Sequence, residues 1–328
     1  MSNQYPEAIR EQISELVTNF PQVATRTLAK RLYSDNKRFF KDLEQARSAI
    51  RRKRGNSGKK ERSRTSDKSA FRPNGKAGFV HELPPTQKKD WLPYTIPNGE
   101  RIAVISDVHL PYHCEETLQT WYEDCMEYEP SVILINGDLL DFYRMSRFEK
   151  NPNMRDTAFE IDQAHAFFDW LNERFEAKVI FKEGNHDERW AKYIWNNAPE
   201  FSRFAQFELG AVLNLDGYGI DHVTDKRVIQ AGDLRIVHGH ELYGAGGAHP
   251  AKSIAGKMHT NALMGHCHRS SEFSQRNFEG TWLRTWSQGC MCEMNPEYGR
   301  INSWNHGYSF VDIHQDGSFK MNNVILEK

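Results

Sequence analysis

Cysteine is scarce and unpatterned in this chain of 328 residues: Cys114, Cys125, Cys267, Cys290 and Cys292 form an odd set without the spacings of a disulfide framework. That argues against an oxidised, cystine-stapled scaffold and leads us to expect a reducing, cytoplasmic setting. Cys290-x-Cys292 lacks the second thiol pair of a structural zinc site, so both read as small buried hydrophobes. Long apolar runs are also missing. None approaches the ~18 residues of a membrane span, and residues 1–20 lack the apolar core of a secretion signal, so we expect a soluble protein with no membrane partner.

An excess of one charge is absent overall, with a net charge of −1, yet the charges are unevenly placed. Residues 1–90 carry 21 Lys+Arg against 10 Asp+Glu, and residues 91–328 carry 22 against 34. The first segment suits phosphate backbones or anionic surfaces; the second suits cations.

What the chain does have is a recurring pairing of apolar run and polar stop. Ile102-Ala103-Val104-Ile105 reads as a strand covered on both faces, and it breaks into Ser106-Asp107-Val108-His109. A carboxylate and an imidazole at one strand end suit a first-row divalent metal but cannot complete its shell. Later strands supply partners. Residues 132–136 run into Gly137-Asp138-Leu139-Leu140-Asp141 and residues 179–181 into Gly184-Asn185-His186-Asp187. Residues 234–237 end on His238-Gly239-His240, and residues 262–264 lead to Gly265-His266-Cys267-His268. Helical segments at Glu115–Tyr128 and 157–175 alternate with these strands, which argues α/β.

The order Asp-x-His, Gly-Asp-x-x-Asp, Gly-Asn-His-Asp, a His before Gly, then Gly-His-x-His resembles that of the calcineurin-like metallophosphoesterases, over about residues 100–270. The resemblance implies a four-layer α-β-β-α sandwich of two mixed sheets, with two divalent metal ions at one rim. Asp107, His109, Asp138 and His268 would hold one ion, and Asn185, His238, His266 and again Asp138 the other. Mixed nitrogen and oxygen ligands favour manganese and also suit iron, zinc or nickel. The implied nucleophile is a hydroxide bridging both ions, available near neutral pH because coordination lowers the pKa of water toward ~7. His186 would protonate the leaving oxygen, and Asp141 would orient His109 or His186. The loops after each motif should form the substrate rim, which makes Arg144, Arg147, Arg189 and His240 candidate contacts. After residue 270 nothing looks like the large extra domain that some nuclease members of the family add.

Residues 1–54 read as a small basic helical domain. Ile9, Ile13, Leu16 and Phe20 recur at helical spacing behind Pro6, a second helix follows at about 25–33, and a third carries Phe39, Leu43, Ala46 and Ile50. The third helix and its continuation offer Arg47, Arg51, Arg52, Lys53 and Arg54 as candidate nucleic-acid contacts. A helix-turn-helix-like module and a solvated or oligomerising bundle fit this spacing equally. Residues 55–95 read as a flexible basic linker, and 96–328 as the catalytic domain. Period-2 stretches at 281–287 and 308–313 should close the second sheet, with Asp316-Gly317 as a hairpin turn. Trp282, Trp286 and Trp304 read as core, and His306 as a packed imidazole.

The function that follows is a metal-dependent phosphoesterase, with a nucleic-acid phosphodiester, DNA or RNA, as favoured substrate because a basic segment is tethered to the catalytic part. One alternative is a phosphatase or nucleotide phosphodiesterase acting on small molecules or phosphoproteins. Another is a nucleic-acid-binding protein with a vestigial metal site, against which the complete ligand set argues.

Overall fold

Each of the five apolar runs is a strand in the computed structural model, which describes residues 5–55, 85–88, 90–147, 156–244, 246–296 and 299–326. Most of the expected linker, residues 56–84 and 89, lies outside them. The chain divides into two compact units, Met1–Lys88 and Lys89–Lys328.

The first unit contains α1 (Glu7–Asn19), α2 (Thr25–Asp35) and α3 (Leu43–Lys53). Ile9, Ile13 and Leu16 form the buried stripe of α1 and meet Leu28, Ala29 and Leu32 of α2 and Ala46, Ala49 and Ile50 of α3. α3 starts where it does because Asp42 caps it, accepting the Gln45 N–H at 2.8 Å, while the Gln45 side chain accepts the Lys41 N–H at 2.6 Å. Seven residues, 36–42, with a 3₁₀ turn at Lys37–Phe39, join α2 to α3. This link is longer than the three- or four-residue turn of a helix-turn-helix.

In the second unit, β1 (Tyr94–Ile96), β2 (Arg101–Ile105), α4 (Glu115–Tyr128), β3 (Val132–Asn136), α5 (Thr157–Arg174), β4 (Lys178–Lys182) and α6 (Glu188–Asn197) come first. Then follow β5 (Asp221–Val223), β6 (Ile229–Ala231), β7 (Leu234–Val237), α7 (Pro250–Met258), β8 (Ala262–Met264), β9 (Ser271–Arg276), β10 (Trp282–Ser287), β11 (His306–Ile313) and β12 (Phe319–Leu326). Among the described residues the strands make two six-stranded sheets, ordered β12-β11-β2-β3-β4-β5 and β1-β6-β7-β8-β10-β9. In the first sheet β2 to β5 are parallel neighbours and β11 and β12 antiparallel; in the second β7, β8 and β10 are parallel neighbours while β6 and β9 pair antiparallel with β7 and β10, so both sheets are mixed.

Side-chain alternation makes the layers. Ile102, Val104, Val132, Leu134 and Ile180 point to the other sheet and meet Leu234, Ile236, Leu263 and Trp286. Ala103, Ile105, Ile133, Ile135 and Phe181 point the opposite way, onto Leu118 and Trp121 of α4 and Phe168 and Leu171 of α5. On the far side, Val237, Ala262 and Met264 are covered by Ile254 of α7. The result is the α-β-β-α sandwich, each buried Ile or Leu contributing roughly 1.5–3 kcal/mol.

Two expectations need correction. The stretch 308–313 does not close the second sheet: β11 pairs antiparallel with β2, so the β11–β12 hairpin extends the first sheet. Trp282 is half exposed on β10 and is not core, and Trp304 is only partly covered, whereas Trp286 is buried. His306 is the packed imidazole expected, its Nε2 set against the Cys292 carbonyl at 2.9 Å. No helix among the described residues is long and apolar enough to cross a membrane.

Candidate metal centre

Parallel strands stop on the same edge of a sheet, which gathers the polar turns after β2, β3 and β4, and β7 and β8 do the same in the facing sheet. The two edges are joined directly: Asn136 at the end of β3 donates to the Val237 carbonyl at 2.9 Å, and His238 Nδ1 meets the Asn136 carbonyl at 2.8 Å. Five of the expected ligands have left-handed backbone, with φ of 57° at Asp107, 52° at His109, 53° at Asp138, 65° at His266 and 53° at His268. Such conformations cost on the order of 1 kcal/mol or more each and persist only where surroundings fix them. At four of them the backbone N–H is held: Asp107 donates to Gly137 O and His109 to Asp138 O, each at 3.0 Å, Asp138 to the Asp187 carboxylate at 2.7 Å and His266 to the Asp107 carboxylate at 2.9 Å. Gly184 has a separate purpose: a Cβ there would overlap the carboxylate and backbone nitrogen of Asp138.

The donor atoms form a chain across the cleft. Asp107 Oδ1 lies 3.0 Å from His268 Nε2, which lies 3.3 Å from His109 Nε2. His109 Nε2 is 3.8 Å from Asp138 Oδ2, which is 3.2 Å from His238 Nε2, and the His238 and His266 rings are 5.1 Å apart. Asp138, His238 and His266 converge closely enough to hold one ion, as do His109, Asp138 and His186. Asp107 Oδ1, His238 Nε2 and Asn185 Oδ1 are buried polar atoms that make no hydrogen bond in proper geometry. For the first two, a neighbour is at ion-pair distance but wrongly directed. Buried carboxylates and imidazoles that converge without hydrogen-bonding one another fit cation ligands.

The field of the site agrees. Burial opposes charge on Asp107 and Asp138, but His268 beside the first and His238 beside the second hold both carboxylates below their usual range. His238 and His268 are themselves pushed up to about 10, because Asp138 and Asp107 outweigh the cost of burial. His266 goes the other way, to about 4, through burial and the positive charge on His238.

Asp141 stands behind this chain. Its carboxylate is 2.9 Å from His109 Nδ1 and 3.2 Å from His186 Nδ1, and its carbonyl is 2.9 Å from the latter. Arg189 donates to the Asp141 carbonyl at 2.8 Å, and its Nη2 is 3.0 Å from His186 Nε2. A guanidinium only donates, so His186 Nε2 accepts there and its Nδ1–H faces Asp141. Burial lowers the basicity of His186, but Asp138 and then Asp141 raise it above the ordinary histidine value. His240 is set against Glu188 at 3.0 Å. Arg144 and Arg147 are exposed on the loop beyond Asp141. In the N-terminal unit Arg51 and Arg52 are exposed, Lys53 is half-buried, Arg47 pairs with Glu44 at 3.1 Å, and Arg54 donates to backbone carbonyls of residues 20–23.

Three supporting groups were given no role at the site from sequence. Asp187 is buried and accepts the N–H groups of Asp138 at 2.7 Å, Gly184 at 2.8 Å and Leu140 at 3.1 Å. Burial and the Asp138 charge push its carboxyl up to about 7. Lys182, fully buried, is 2.7 Å from Glu241, whose carboxylate accepts the N–H groups of His238 and Gly239 at 3.1 and 2.6 Å. The readable signal was a lysine closing an otherwise apolar strand. Cys292 is buried as expected but also polar in role, its Sγ lying 3.8 Å from His268 Nδ1, while Trp304 packs its ring 4.1 Å from that of His268.

A family model described as calcineurin-like phosphoesterase matches residues 100–278, more than half of the 328. The Gene 54 protein of Mycobacterium phage L5 is 24% identical over 233 residues, which cover 66% of this chain and 89% of that protein. The Gene 54 protein of Mycobacterium phage D29 is 28% identical over 204 residues, covering 58% and 74%. Among solved structures, a dimetal phosphatase from Danio rerio is similar at 10% identity, covering 69% of this chain and 96% of that one, with a TM-score of 0.38.

Proposed function

The chain belongs to the calcineurin-like phosphoesterase family, metal-binding hydrolases of phosphoester bonds, and from that premise we propose a two-metal centre bridged by Asp138 whose favoured substrate is a nucleic-acid phosphodiester. The observation that carries the site is Asp138 Oδ2, which faces His238 of one sheet edge at 3.2 Å and His109 of the other at 3.8 Å. Asp107, His109 and His268 would hold one ion together with Asp138, and Asn185, His238 and His266 would hold the other. When bound, the metal pair neutralises charge on the phosphoryl oxygens and acidifies water.

The chain's own groups orient and protonate. Asp141 anchors His109 and His186 together, so one carboxylate positions both the ring on the metal side and the ring that would meet the leaving oxygen. His186 delivers a proton to the leaving oxygen from Nε2, and the Asp141 carboxylate stabilises the charged ring from Nδ1. Arg189 occupies Nε2 meanwhile, so it has to release that atom first. A substrate phosphate that draws the guanidinium away frees Nε2 to take a proton from solvent, and that is the proton the leaving oxygen then receives. His240, set against Glu188 at 3.0 Å, links the turn after β7 to the start of α6.

The basic N-terminal segment supports nucleic acid over a small ester, and the exposed Arg144 and Arg147 are suited to phosphates flanking the scissile one. Mixed nitrogen and oxygen ligands favour manganese, with iron, zinc or nickel as competitors. Free cysteines at all five positions suit the cytoplasm. The test is hydrolysis of a phosphodiester against a phosphomonoester by chelator-stripped protein supplied with Mn²⁺, Zn²⁺ or Mg²⁺, beside cleavage of DNA and RNA. We expect the diester and nucleic acid to be cut, best with Mn²⁺. Preference for the monoester with no nucleic-acid cleavage would return the protein to the small-molecule or phosphoprotein reading.

A further inference from the structure

The cations of the N-terminal unit divide into those that hold it together and those that face outward. Arg54, just beyond α3, donates to Thr25 Oγ1 at 2.9 Å and to the carbonyls of Phe20, Pro21 and Val23 at 3.0, 3.3 and 2.6 Å. This clamp brings the last turn of α3, with Arg51, Arg52 and Lys53, beside the start of α2, where Arg26 and Lys30 are exposed one turn apart.

Charge is segregated around that junction. Residues 20–55 carry eleven Lys+Arg against three Asp+Glu, whereas α1 carries three acidic residues and one basic. Two of the three acids are already used, Asp42 as the cap of α3 and Glu44 as the partner of Arg47. The first turn of α2 has no acidic residue and contains Arg26, although the helix dipole favours anions there and disfavours cations. Arg26 opposes the helix it sits on and lies next to a second cationic turn, an arrangement that fits a bound polyanion better than self-stabilisation.

We propose that the start of α2 and the end of α3 form one composite surface for a nucleic-acid phosphodiester backbone, contacted by Arg26, Lys30, Arg51 and Arg52, with Arg54 as its structural clamp. The inference rests on the nucleic-acid reading of the N-terminal unit above. It extends the expected contact set to α2 and takes Arg54 out of it.

The test is a salt titration of binding by the full chain, with chelator present to prevent cleavage, on duplex DNA, single-stranded DNA and duplex RNA. The variants are R26Q/K30Q, R51Q/R52Q, R54Q and, in the basic run beyond α3, K59Q/K60Q. Each phosphate contact contributes about 0.9 to the slope of log affinity on log salt for duplex DNA and about 0.7 for single strands, so either helix pair should flatten it by about 1.8 or 1.4. R54Q should instead lower the melting temperature. Wild-type binding by R26Q/K30Q, with the loss carried by K59Q/K60Q, would overturn the surface, as would failure of the full chain to bind any probe. A flatter slope with unchanged melting in R54Q would overturn the clamp. Hydrolysis of a small diester, measured with metal restored, should be unchanged in all four. Absence of that hydrolysis in the full chain would sink the enzyme reading without touching the binding result.

Discussion

The Asp187 carboxylate accepts the backbone N–H of Asp138 at 2.7 Å, so the turn after β4 sets the position of the turn after β3. The same carboxylate holds Gly184 and Leu140. The bridging side chain we propose is therefore fixed from behind by a residue that touches no expected ligand atom.

Asp187→Ala should destabilise the protein and weaken metal binding together, since each buried N–H left without a partner costs about 1–3 kcal/mol. Asp187→Asn, which keeps an acceptor oxygen, should lose less. The raised carboxyl adds a pH signature. With a folded value of about 7 against an ordinary 3.8, its stabilisation is complete below about pH 4 and is lost as pH rises through 7. Melting curves of chelator-treated protein from pH 4 to 8 should fall with pH, and less steeply in Asp187→Asn. Equal slopes in both proteins would remove Asp187 as the source.

Lys182→Met should be among the most damaging single changes outside the cleft. Removing one partner of a buried pair costs about 3–5 kcal/mol, and Glu241 would lose the charge that keeps it ionised while it holds His238. Denaturant titration measures the loss directly. A change under about 1 kcal/mol would mean that water or His240 replaces the ammonium.

Metal uptake should release protons. His238 and His268 lie at about 10 in the metal-free protein and are protonated at neutral pH, so a cation has to displace those protons. Apparent affinity should therefore rise with pH between 6 and 9, and calorimetry in buffers of different ionisation enthalpy should report proton release. Affinity independent of pH would contradict the ligand roles of these two imidazoles.

His186→Ala should keep its metal and lose about 10²–10⁴ in rate on esters with poor leaving groups, the range of a general acid. Activated aryl esters should suffer less. Equal loss on both would make His186 a positioning residue.

The ligand-bearing turns were legible because an apolar strand that ends on Gly, Asp and His leaves a local mark, and the continuous apolar runs of β2 and β3 announced strands buried on both faces. Asp187 was not legible, because a carboxylate at the start of a helix carries no local mark of its partners and only the tertiary fold turns it toward Asp138. β11 was assigned to the wrong sheet because period-2 patterning records which face is buried but not which neighbour a strand pairs with. Arg54 looked like one more cation in a basic run, since nothing local shows that residues 20–25 fold back to meet it. Trp282 looked like core because aromatic content does not show which face or end of a strand is left uncovered.

The central claim is that Asp138 serves both metal positions, and the most direct measurement is metal content beside turnover in Asp138→Asn. We expect the wild-type chain to take up two divalent ions and hydrolyse a phosphodiester, and the variant to lose turnover and bind both ions weakly. A variant that retains two ions per chain at near-normal rate would contradict the account.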